Sequence, residues 1–258
     1  MPLITLITDF GIKDFYVGSL KGNIYSACEN ALLVDITHEI ERHGLVQAAY
    51  VLKCCFPDFP KGSFHLMLID TEKEEGRPVL FKYNAHFFLG IDNGVFNIAI
   101  DGAEPDWVVE LEPEKLGYSS KSNLNNFFAD VLGALSNGKK PLELGTKRNK
   151  LLSINAARPA YGDWGIRGEV IYIDNYENVV LNIDRDFFET QCNCRPFHIE
   201  FKHLDRIERI CDSYSDVDPG ELLALFNGSE HLEIAVNHGK AASLLGLKLK
   251  TTVQINFK

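Results

Sequence analysis

The first third of the chain is a series of apolar blocks separated by amphipathic stretches. LITLITD (3–9) is a short apolar run ending on an acid and predicts a strand. Val17, Leu20, Ile24 and Ala27 then recur at helical spacing, so 14–28 reads as an amphipathic helix. LLVDITH (32–38) predicts a second strand with Asp35 near its end. Leu45, Ala48, Ala49, Leu52 and Cys55 form a second helical stripe, stopped by Pro57 and Pro60. FHLMLID (64–70) predicts a third strand, closing on Asp70. Apolar runs without alternation, separated by helices, suit a mainly parallel sheet flanked by helices.

The texture changes after residue 77. Residues 79–100 predict two or three strands with a turn at Asp92-Asn93-Gly94. Leu124, Phe127, Phe128, Val131, Leu132 and Leu135 line one face of a further helix, with Gly138 past its end. Residues 139–167 read as a basic loop, which places a domain boundary there: an α/β N-terminal domain over 1–155 and a β-rich domain over 165–258. Six short apolar runs between 168 and 257, with a short helix at 240–246, give the second domain a small, β-barrel-like character.

Composition narrows the classes. The chain has 258 residues and a net charge of −10, which argues against a nucleic-acid backbone as partner. No apolar run approaches a membrane span, and Asp9 comes too early for a signal peptide, so a cytoplasmic protein without membrane partners is expected. Its six cysteines then read as reduced thiols. The lone Cys192-x-Cys194 pair is too little for a metal site, and no metal is assigned.

Candidate chemistry follows from where the acids fall. In an open parallel sheet, ligands collect beyond the carboxyl ends of the strands, where Asp9, Asp35 and Asp70 stand. For any one such acid a capping or solvent-facing role is the commoner outcome, and Asp35 is assigned to it. Asp9 is balanced between capping and function. No phosphate loop or dinucleotide fingerprint follows any strand.

Several motifs, in order, resemble one family: ITLITDFGIKDFYVGSLKG (4–22), VDITHEI (34–40), the Asp70–Arg77 spacing, IDNG (91–94), IDNYENVVLNI (173–183), SYSDVDPGEL (213–222) and LEIAVNHGKAA (232–242). Together they look like the S-adenosylmethionine hydroxide adenosyltransferases, relatives of the S-adenosylmethionine-dependent chlorinases and fluorinases. The resemblance implies hydrolysis of S-adenosylmethionine at C5′ to adenosine and methionine, with no cofactor beyond that small-molecule substrate. It also implies a homotrimer with sites at subunit interfaces.

By the same resemblance, Asp9 binds the ribose hydroxyls, Asp174 and Asn178 grip the methionine end and ribose, and Tyr176 and Tyr214 flank the adenine. Asp70 and Arg77 match two members of a water-activating Asp–Arg–His set. The third position carries Asn123, which can hold a water but cannot take its proton near neutral pH. Two further departures are Glu72–Glu75 in a normally glycine-rich stretch and Glu177 at a turn glycine. The structural alternatives are a surface ion pair for Asp70–Arg77, a helix cap for Asn123, and hairpin or core packing for the tyrosines. Functional alternatives are halide displacement, a slow or non-catalytic S-adenosylmethionine or adenosine binder, and a structural trimer.

Overall fold

The computed structural model describes residues 1–71, 76–118, 124–154, 157–201 and 206–258. The chain divides into two compact units, Met1–Ile154 and Asn155–Lys258.

The first unit runs β1 (Leu3–Thr8), α1 (Tyr16–Ala27), β2 (Leu32–Thr37), α2 (Leu45–Cys55), β3 (Phe64–Leu68), β4 (Arg77–Tyr83), β5 (His86–Asp92), α3 (Val95–Ala99), β6 (Trp107–Leu111), α4 (Leu124–Ser136) and β7 (Gly145–Arg148). Its sheet has the order β2-β1-β3-β5-β4-β6-β7. Strands β1, β2, β3, β5 and β6 share one direction, while β4 and β7 run against it. The sheet is therefore mainly parallel, as its apolar runs predict. Alternate residues of β1 feed opposite faces. Ile4 and Leu6 pack with Leu20 and Ile24 of α1 and with Phe127 and Phe128 of α4. Ile7 packs with Ala48 and Leu52 of α2 and Phe96 of α3. Burying a side chain of that size stabilises the fold by roughly 1.5–3 kcal/mol.

Two local expectations change. The reversal between β4 and β5 is made by Asn84 and Ala85, both left-handed, a two-residue hairpin that matches strand twist. Asp92-Asn93-Gly94 leads instead into α3, so residues 95–99 are helix rather than strand. Gly94 is required there: its φ is +100°, and a Cβ would lie 2.6 Å from Ile154. Within the segment read as a basic loop, Gly145–Arg148 extends the sheet as its edge strand.

The second unit runs β8 (Ala160–Gly162), β9 (Gly165–Ile173), β10 (Val179–Asp184), α5 (Arg185–Cys192), β11 (Phe197–Glu200), β12 (Arg206–Ile207), β13 (Ile210–Cys211), β14 (Leu222–Phe226), β15 (His231–Val236), α6 (Ala241–Leu245) and β16 (Thr252–Phe257). The order β12-β11-β16-β9-β10-β15-β14-β13, with β8 on β9, makes a nearly closed, barrel-like sheet. Strand β9 pairs β16 along its first half and β10 along its second, which turns the corner of the barrel. Ile166, Leu181, Ile199, Ile234 and Ile255 fill the interior. Helix α5 escapes the sequence pattern because its residues, RDFFETQC, are mostly polar. It forms because Asp184 caps it, accepting from the Phe187 N–H at 2.7 Å.

All six cysteines are free thiols. Among the described residues, no helix is long and apolar enough to cross a membrane, and no group of three or more His, Cys, Asp or Glu is placed to hold a metal.

Candidate active site

In the first unit the topology carries the sequence-predicted acids to one edge of the sheet. Asp9 follows β1, and Asp70 lies just past β3. Because β4 is antiparallel, its first residue, Arg77, starts at the edge where the parallel strands end, opposite Asp92. Asp9 and Asp70 meet directly: the Asp70 N–H donates to Asp9 Oδ2 at 3.1 Å. Gly11, at φ +70°, lets the chain turn after Asp9, and its N–H donates to the His38 carbonyl at 2.7 Å. Asp35 is held by Lys21 at 2.5 Å and His38 at 3.1 Å. That ion-paired surface role agrees with its assignment from sequence.

Asp70 sits in the left-handed region at φ +48°, which costs a non-glycine residue roughly 1–2 kcal/mol. The surroundings hold it there. Asn93 is fully buried; its Nδ2 donates to the Ile69 carbonyl at 2.8 Å, and its Oδ1 accepts from the Val95 N–H at 3.3 Å. Asp92 anchors the neighbouring chain, accepting from the Leu152 N–H at 2.8 Å and lying 3.1 Å from Arg148. Burial raises the Asp92 pKa, against the pull of the Leu152 N–H and the Arg148 charge. Among the described residues, the side chain bonded to Asp70 is His43, whose Nδ1 lies 2.6 Å from Oδ1. Arg77 is half exposed, with Nε 3.9 Å from Glu110. Asn123 and Glu72–Glu75 lie outside the described residues.

In the second unit Asp174, Tyr176, Asn178 and Tyr214 line one open cleft of about 1150 Å³. The turn from Asp174 to Asn178 is organised by the acid itself. Asp174 Oδ1 accepts from the N–H groups of Tyr176 at 2.9 Å and Asn178 at 2.8 Å, and Oδ2 accepts from Asn178 Nδ2 at 3.0 Å. The short polar side chain thus mimics a backbone turn. Tyr176 stands clear of the turn, 73% exposed, whereas Asn178 is buried. The Tyr214 hydroxyl donates to Glu233 Oε1 at 2.6 Å, and Asn227 Nδ2 donates to Oε2 at 3.2 Å, which fixes the tyrosine ring beside the cleft. Burial raises the Glu233 pKa; those two donors oppose the rise and the Asp174 charge adds to it.

Glu177 shows how a carboxylate replaces the turn glycine of the resemblance. It adopts φ +63°, and its side chain ties the turn to α6. Lys240 donates to Oε1 at 2.8 Å and the Ser243 N–H to Oε2 at 3.1 Å, while the Ala242 N–H donates to its carbonyl at 2.9 Å. The Lys240 hydrogen bond leads the groups that lower the Glu177 pKa. Sequence reasoning did not single out Glu233, Lys240 or His43. For Glu233 the available signal was a charge inside the otherwise apolar run of β15.

The mainly parallel sheet of the first unit and the barrel-like sheet of the second define a two-domain α/β-plus-barrel protein, and family comparison makes the class specific. The SAM hydroxide adenosyltransferase N-terminal domain matches residues 4–145, and the C-terminal domain of the same family matches 168–254. The chain belongs to the SAM hydroxide adenosyltransferase family. An (R)-S-adenosyl-L-methionine hydrolase from Methanocaldococcus jannaschii is 27% identical, the alignment covering 99% of this chain and 96% of the relative. A protein of that name from Thermus thermophilus is 25% identical, over 96% and 97% of the two chains. A crystal structure of an uncharacterised conserved protein from Thermotoga maritima superposes with a TM-score of 0.85 at 27% identity, covering 98% of this chain and 99% of the other.

Proposed function

We propose that the chain hydrolyses S-adenosyl-L-methionine at C5′, giving adenosine and L-methionine. Membership of the hydroxide adenosyltransferase family supports this reading, and the joined Asp9–Asp70 pair is the observation that carries it to particular residues. Water attacks C5′ opposite the sulfonium, and the C5′–S electron pair passes to sulfur. The leaving group is a neutral thioether, so no general acid is required. Asp9 binds the ribose hydroxyls, Asp70 orients the water, Arg77 favours its hydroxide character, and Asn123 adds a hydrogen-bonding group beside it. Asp174 and Asn178 shape the turn that receives the methionine end and ribose, with Tyr176 and Tyr214 against the adenine. Holding the nucleophile in line and away from bulk water supplies much of the acceleration.

S-adenosylmethionine acts as substrate, and the reading requires no cofactor. The working form is a cytoplasmic homotrimer with its sites at subunit interfaces, a state that light scattering coupled to size exclusion measures directly. The activity test is incubation of purified protein with S-adenosylmethionine, followed by chromatography for adenosine and methionine. Equimolar appearance of both supports hydrolysis. Calorimetric binding without products favours the second reading, a binder that does not turn over, which asparagine at position 123 motivates.

A further inference from the structure

We propose that His43 is the general base of the reaction, taking the proton of the attacking water while Asp70 holds its ring. The inference rests on the hydrolytic reading above and supplies the proton acceptor that Asn123 cannot be.

Two residues in costly backbone conformations hold each other. His43 lies in the connection between β2 and α2, at the edge of the sheet where Asp70 emerges. It sits at φ +62° and Asp70 at φ +48°. Histidine and aspartate tolerate that region better than most side chains, yet glycine adopts it freely. Gly44, the next residue, shows that glycine occurs in this connection. His43 is 74% exposed, so packing does not call for an imidazole. With the imidazole so exposed, its hydrogen bond to the partly buried Asp70 carboxylate contributes about 1 kcal/mol, less than the roughly 1–2 kcal/mol that each left-handed side chain costs. A chemical role for the imidazole explains both features.

The hydrogen bond sets the chemistry. Asp70 Oδ1 accepts from Nδ1–H, which leaves the lone pair on Nε2. A carboxylate orienting one ring nitrogen while the other receives a proton is the general arrangement of a base and its orienter. Asp70 itself is tied to Asp9 through its N–H, so the proton acceptor is fixed relative to the group proposed to hold the ribose. In the step, the water oxygen bonds to C5′, and the C5′–S bond breaks with its electrons going to sulfur. One water proton passes to His43 Nε2 and is later released to solvent. The products are adenosine, neutral thioether methionine and one proton.

The test uses His43→Gly and His43→Gln in the full-length protein, with S-adenosylmethionine as substrate. Glycine suits φ +62°, so His43→Gly is expected to keep or raise the thermal midpoint. Its kcat should fall by ~10²–10⁴, the usual worth of a positioned base, with KM changed less than about threefold. Added imidazole should restore turnover to the glycine variant, where a space is left, and not to the glutamine variant, where the side chain fills it. Wild-type kcat in both variants, or a loss that imidazole does not restore, overturns the proposal while wild-type hydrolysis still stands. No adenosine from the wild-type protein would sink the hydrolytic reading, and this inference with it.

Discussion

Both units present aspartates, and they use them in opposite ways. In the first unit Asp70 is held in a left-handed conformation beyond a parallel strand, its carboxylate bonded to an exposed imidazole and its N–H to a second acid. In the second unit Asp174 directs its oxygens into its own turn, accepting from Tyr176 and Asn178. One acid is presented by the fold; the other builds the fold around itself. Residue type is the same for both. The hydrogen-bond partners separate the roles, and they predict that kcat and stability will respond to different aspartates.

The largest effect expected is in turnover. Asp70→Asn keeps a residue that tolerates the left-handed region but removes the carboxylate bonded to the His43 ring and proposed to orient the water. It should lower kcat by ~10²–10⁴ with little change in thermal midpoint, read by steady-state adenosine release beside a melting curve. An equal kcat loss in Asp174→Asn would erase the contrast between the units.

Acid separates the units next. His65 is buried in the first unit between Thr5, at 2.8 Å, and His86, at 3.1 Å. Burial, with the His86 charge second, pushes its pKa down from 6.5 to about 3. Between pH 6.5 and 4.5 the unfolded chain therefore takes up a proton that native His65 refuses, and stability falls as pH falls. At ~1.4 kcal/mol per unit the loss is about 2–3 kcal/mol across that window. Burial lowers the His86 pKa in the same direction, while Asp92, raised by burial, opposes it. In the second unit Glu233 is raised, so acidification stabilises that unit as pH falls towards 4.5. Trp107 and Trp164 are the two tryptophans, one in each unit. Urea titrations of Trp107→Phe and Trp164→Phe thus read the units separately. The midpoint reported by Trp107 should fall on acidification, and His65→Phe should flatten that fall. Equal slopes at both tryptophans would show that burial of His65 does not set acid stability.

Asp174→Ala should come third. Removing the acceptor of three hydrogen bonds, one from the backbone of the buried Asn178, leaves donors unsatisfied and destabilises the second unit by ~1–3 kcal/mol. The Trp164 midpoint should drop and KM should rise about tenfold as the turn loses its shape, with kcat affected less. An unchanged midpoint would mean that the turn forms without its acid.

The elements of the first unit were readable because a buried parallel sheet leaves unbroken apolar runs, as in β1 and β3, and its helices leave stripes, as in α4. The reversal at Asn84-Ala85 was not, since alanine carries no turn signal and adopts the left-handed region here only because β4 and β5 hold it. Helix α5 was hidden by its polar composition. Asp9, Asp70 and Asp174 could be picked out by position and motif, because they lie next to strand ends and turns. Their partners could not. His43 is 27 residues from Asp70, and Tyr214 is 19 from Glu233; only the folded chain brings such pairs together. Glu177 reads in sequence as a misfit at a glycine position, and its compensation through Lys240 and Ser243 depends on α6 returning over the turn.

The smallest effect tests the part of the second unit that Asp174 supports without joining. Tyr176 is 73% exposed, and its N–H rather than its ring holds the turn, so the ring contributes little to folding. Tyr176→Ala should leave the Trp164 midpoint within about 0.5 kcal/mol of wild type, the usual range for an open surface position. If the ring stacks on adenine, losing it should weaken binding by about 1 kcal/mol, a KM rise of roughly five- to tenfold, with kcat retained. Tyr176→Phe keeps the face and should bind like wild type. A lower midpoint with unchanged KM would instead make Tyr176 a packing residue of its hairpin, and the adenine contact would then fall to Tyr214, whose hydroxyl is already fixed by Glu233.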